Sequence, residues 1–111
     1  MEIDSLVTAL EHIDRALREF LRLSDMPGAP ALLHEVLSRW GTELDRSYSL
    51  DPAFDQQRAE VHAGCVATRE ALALLAIEIG PVPHAVVRRA RELSSVIGDM
   101  LPALVRVADR G

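Results

Sequence analysis

The chain has 111 residues, a formal net charge of −5, 49% apolar and 26% charged residues, and only 4% aromatic residues. That length holds one domain without room for a second, and the apolar fraction supports a packed core and argues against intrinsic disorder. The acidic balance repels a phosphate backbone, which is normally bound through Lys and Arg, so nucleic acid is not an expected partner.

Lys and Asn are absent while Arg accounts for all 12 basic residues, a bias that a GC-rich coding genome produces without any functional demand for guanidinium. Cys65 is the single cysteine, so neither an internal disulfide nor a Cys-based metal site is available, which fits a reducing cytoplasm. The first residues interleave Glu2, Asp4 and Glu11 with apolar side chains, unlike a secretory signal. The longest apolar run, Ala71 to Ile77, is far short of the ~20 residues that cross a bilayer, so no membrane partner is expected.

The first predicted helix covers about 3–24, because Ile3, Leu6, Leu10, Ile13, Leu17 and Phe20 recur at alternating spacings of three and four. Val7 and Leu21 widen this stripe toward the broad face of a bundle helix. Glu11 with Arg15 and Asp14 with Arg18 stand four apart in the favourable order for ion pairs on the outer face. Pro27 and Gly28 then stop the helix, and the short connection turns the next one back antiparallel.

The second helix is expected over about 30–48, opening on Pro30, with Leu33, Leu37, Trp40 and Leu44 as its stripe. Gly41 inside it suggests a close approach by a neighbouring helix. Asp51 and Pro52 form a start signal for the third helix, about 52–79. Its ladder, Phe54, Val61, Cys65, Leu72, Leu75 and Ile79, is interrupted by Arg58 and Thr68. From Ala71 to Ile79 the helix is apolar nearly all round, which implies burial on more than one side.

Gly80 and Pro81 end the third helix, and the fourth spans about 83–109 with Val86, Ala90, Leu93, Ile97, Met100, Leu104 and Val107 on its stripe. Pro102 lies within it and its ring meets the carbonyl of Gly98, predicting a kink or a break near Gly98–Pro102. Four such helices with three short connections predict an all-α, antiparallel up-down four-helix bundle forming a single domain over 1–111.

Four histidines, one per helix, raise the question of a metal site, since bundles hold metals through Glu-x-x-His. The residues three before His12, His34, His62 and His84 are Ala9, Ala31, Ala59 and Pro81, so no metal ligand and no cofactor is expected. Cys65 and His62 are one turn apart, but a Cys on the apolar stripe reads as a small hydrophobe rather than a nucleophile. Phosphate loops, paired catalytic carboxylates and cofactor fingerprints are missing from the sequence, and no catalytic residue is assigned.

The expected function is therefore non-enzymatic: a protein-protein interaction module, such as an adaptor, chaperone or accessory subunit. The expected contact surface is the over-apolar end of the third helix and the start of the fourth, namely Leu72, Leu74, Leu75, Ile77, Ile79, Val82, Val86 and Val87. The local basic cluster Arg88, Arg89 and Arg91 stands beside it. Its occupant is a protein partner or a second copy in a homodimer. The alternative is a small acidic inhibitor or immunity-type protein blocking a basic site on a toxin, nuclease or defence complex; a metal-binding bundle or enzyme is less favoured.

Overall fold

The computed structural model describes residues 2–23, 26, 28–46, 52–75 and 82–110, with the side chains of residues 2, 3, 53, 108 and 110 excepted. Four helices make up the fold: α1 (Glu2–Leu23), α2 (Ala29–Arg46), α3 (Pro52–Leu75) and α4 (His84–Arg110). α1 packs against α2 and α4, and α3 against the same two, so among the described residues the diagonal pairs do not touch. This is the four-helix bundle expected from the heptad stripes, drawn out to 47 × 21 × 18 Å.

The antiparallel order is visible in cross-helix pairs. His12 of α1 meets Trp40 of α2, Asp45 of α2 meets Arg58 and His62 of α3, and Gly64 of α3 lies against Leu93 of α4. The ends of α1 and α3 and the starts of α2 and α4 therefore share one end of the bundle.

The core is the union of the four stripes. Leu6, Leu10, Ile13, Leu17 and Phe20 are buried from α1, Leu33, Leu37 and Leu44 from α2, Val61, Cys65 and Leu72 from α3, and Val86 through Leu104 from α4. Each fully buried Leu or Ile contributes about 1.5–3 kcal/mol relative to exposure, so these stripes carry the stability of a chain with few aromatics.

The two polar rungs of α3 are accommodated differently. Thr68 is 1% exposed, and its hydroxyl donates to the Gly64 carbonyl one turn back at 2.8 Å. Arg58 donates from Nε to Asp55 at 2.9 Å and from Nη1 to the Leu44 carbonyl at 3.4 Å. That carbonyl lies in the last turn of α2. Arg58 thus staples the start of α3 to the end of α2.

The turn between α1 and α2 follows from its glycine. Gly28 has φ of 85°, a left-handed conformation open to a residue without Cβ. Its carbonyl accepts from the Leu32 N–H at 3.0 Å, which starts α2 one residue before the expected Pro30. The Met26 N–H donates to the Leu23 carbonyl at 2.9 Å and closes the end of α1. In α4 the Pro83 carbonyl accepts from Val86 and Val87, so that helix starts at His84.

α4 runs unbroken through Pro102, so the expected division into two pieces does not occur. Gly98 and Pro102 are both exposed, which lets water take the carbonyl that the proline leaves without a donor. The expected continuations to Tyr48 and Ile79, the cap at Asp51 and the Gly80–Pro81 stop lie outside the described residues.

Candidate functional site

The surface expected at the α3–α4 end divides into several environments. Leu72 and Val86 are buried in the core, Leu75 and Val82 pack against its edge, and Val87 is half-buried. Leu74 is 71% exposed, while Ile77 and Ile79 lie outside the described residues. Arg88 and Arg91 are exposed, and Arg89 joins Glu60 and Glu92 beside a small hollow of about 170 Å³ between α3 and α4. The core therefore absorbs much of the apolar character that the sequence concentrates there.

The larger feature lies at the same end of the bundle but on the opposite pair of helices. A groove of about 680 Å³ runs between α1 and α2, open to solvent on one side. Its floor is Phe20 and Leu33, both buried, with Ala16 beside them. Its walls are Leu23, Met26, Leu32 and Val36, with Arg15 and Glu19 on the α1 side, and its inner end is lined by His12 and Trp40.

Leu23, Met26 and Leu32 are 37%, 56% and 58% exposed, and all three line this one groove. A cluster of large apolar side chains left open to water marks an interaction surface. The three lie off the core stripes, on either side of the turn whose geometry Gly28 sets. Apolar residues out of register beside the Pro27-Gly28-Ala29-Pro30 stretch are the sequence signal for this site, and the heptad stripes point away from it.

The end wall is specific. The His12 imidazole is stacked on the Trp40 indole, and Arg39 lies over the same indole with its guanidinium carbon 5.3 Å from the ring centroid. Arg15 lines the groove on the α1 side. The expected Glu11–Arg15 pair is not formed among the described residues, whereas Asp14–Arg18 is, at 3.1 Å. Glu19, four residues after Arg15, is instead held by Arg22 through two hydrogen bonds of 2.9 and 3.1 Å.

The remaining candidate groups are occupied structurally. Cys65 is buried, and its thiol is pushed up to about 12 by burial, with Arg69 pulling weakly the other way. The His62 Nδ1 lies 3.9 Å from Asp45 Oδ1. Among the described residues, no group of three or more His, Cys, Asp and Glu side chains is placed to share a metal ion. No described helix is long and apolar enough to cross a membrane. No protein-family model matches the chain, and no curated protein or solved structure matches it.

Proposed function

We propose that this chain is a non-enzymatic cytoplasmic binding module that captures a partner protein through the apolar groove between α1 and α2. The observation that supports this reading is the convergence of Leu23, Met26 and Leu32 on one groove floored by Phe20 and Leu33. The proposed surface therefore moves from the α3–α4 face to the α1–α2 face of the same end.

Magnitudes say what the partner must bring. Covering the remaining exposed parts of Leu23, Met26 and Leu32 is worth about 1 kcal/mol each on the usual area scale. Association itself costs on the order of 4–15 kcal/mol, so those three side chains alone do not hold a complex. The partner has to insert apolar side chains of its own against Phe20, Leu33 and Val36, which is the helix-in-groove mode of recognition.

Capture from native lysate with paired variants tests this. Leu32→Glu places a charge on the groove wall and is expected to abolish capture, while Leu74→Glu leaves it unchanged. Loss with Leu74→Glu and retention with Leu32→Glu would reverse the assignment and return function to the α3–α4 face.

A further inference from the structure

Met26 is 56% exposed and lines the α1–α2 groove. The other oxidisable sulfur atoms among the described residues are shut away, since Met100 is 1% exposed and Cys65 2%, both in the core. Burial also pushes the Cys65 thiol up to about 12, so it stays protonated, whereas the thiolate is the form that peroxide oxidises. A small electrophilic oxidant therefore meets the Met26 thioether before either of them.

The surroundings of Met26 decide what an added oxygen would do. It shares the groove with Leu23, Ala29 and Leu32, whose side chains carry no hydrogen-bond donor. The backbone donors of this turn are committed: the N–H groups of Met26, Ala29 and Leu32 donate to the carbonyls of Leu23, Met26 and Gly28 at 2.9, 3.2 and 3.0 Å. Arg15, the guanidinium that lines the groove, stands about 12 Å back along α1 from Leu23. A polar atom on the Met26 sulfur therefore depends on water for its hydrogen bonds.

We propose that Met26 is an oxidation site at which hydrogen peroxide turns this wall of the groove from apolar to polar and releases the bound partner. This rests on the groove reading above and adds a means of control to it. The thioether sulfur attacks one peroxide oxygen; the S–O bond forms as the O–O bond breaks, the other oxygen leaves as water, and the electron pair that sulfur gives up reduces the peroxide. The product is methionine sulfoxide, a polar group that sulfoxide reductases return to the thioether. In the free chain water hydrates the new oxygen, so folding is not opposed. A partner seated on the groove removes that water and leaves the oxygen without a donor, so binding is opposed.

The test treats the full chain with dilute hydrogen peroxide and locates the added oxygen by mass spectrometry of fragments cut after arginine, which place Met26 in 23–39 and Met100 in 92–106. In the folded chain Met26 is expected to react well before Met100, and in urea the two should react alike. Groove occupancy is read with a synthetic leucine-striped helical peptide of about three turns, titrated against the chain and followed through Trp40, the single tryptophan. Oxidation should weaken peptide binding at least about tenfold while the urea midpoint stays where it was. Reductases for both sulfoxide epimers should restore the binding. In Met26→Leu the affinity should be the same before and after peroxide.

Met100 oxidised as fast as Met26 in the folded chain would overturn the site. Peptide affinity unchanged by a sulfoxide at Met26, or an equal loss in Met26→Leu, would overturn the switch while leaving the groove as the binding surface. A fall in the urea midpoint large enough to account for the lost binding would make the effect one of folding and overturn it as well. Failure of the groove reading itself has a separate signature, a reduced chain that binds no peptide together with capture indifferent to Leu32→Glu, and the switch falls with it.

Discussion

The His12 imidazole lies flat against the Trp40 indole, with ring centroids 4.0 Å apart and planes within 4° of parallel. This contact joins α1 to α2 at the inner end of the groove. Stacked aromatic pairs add about 0.5–1.5 kcal/mol beyond the area they bury. His12→Ala is therefore expected to lower stability by about that amount and to shift Trp40 emission to the red, read by urea unfolding and by fluorescence. An unchanged emission maximum would place Trp40 away from His12 in solution.

Asp14 predicts an unusual gain. Its Oδ2 pairs with Arg18 at 3.1 Å, but Oδ1 is buried with no hydrogen-bond donor among the described residues. Asp14 shares a flank of α1 with Val7 and Leu21, opposite the flank that lines the groove and so turned toward α4. A buried acceptor left unsatisfied costs about 1–3 kcal/mol. Asp14→Met should recover part of this and raise the unfolding midpoint, whereas Arg18→Ala, at a side chain 71% exposed, should cost under about 1 kcal/mol.

Two helical glycines should respond differently to alanine. At Gly98 an added Cβ meets nothing within 4 Å, so Gly98→Ala gains about 0.5–1 kcal/mol from helix propensity. At Gly64 the same atom would come 2.9 Å from the Cδ1 of Leu93, a core side chain 5% exposed. Gly64→Ala must displace Leu93 and is expected to be neutral or destabilising. Thermal melts of the two variants side by side check the sign.

Cys65 supplies a pH dependence. Burial raises its thiol from 9.0 to about 12, so between those values the unfolded chain ionises this group while the folded chain keeps its proton. The unfolded state then binds fewer protons, and stability falls as pH rises through that window; below it the contribution is constant. Cys65→Ala should flatten this fall in urea midpoints measured across the alkaline range. At pH 8 the folded thiol should resist thiol reagents until denaturant is added.

The bundle was legible because burial repeats. Leu6, Leu10, Ile13 and Leu17 recur at the helical period, and each lies at 0% exposure in the structure. Helix ends were readable where proline or glycine set them, as at Gly28 and Pro52. The groove was not legible, because it depends on how α1 and α2 sit against each other, which no single-helix pattern encodes. Leu23, Met26 and Leu32 read as stray apolar residues until the turn at Gly28 brings them together. Arg15 likewise reads as half of a Glu11 pair, whereas in the structure it lines the groove.

The central claim is that the α1–α2 groove is the binding surface, and amide chemical-shift mapping of the labelled chain with a synthetic leucine-striped helical peptide addresses it most directly. The account predicts that the perturbed amides gather at Ala16, Phe20, Leu23, Ala29, Leu32 and Val36, with the Trp40 indole N–H moving alongside them. Shifts centred instead on Leu72 to Leu75 and Val82 to Val87, or no shifts at saturating peptide, would contradict it.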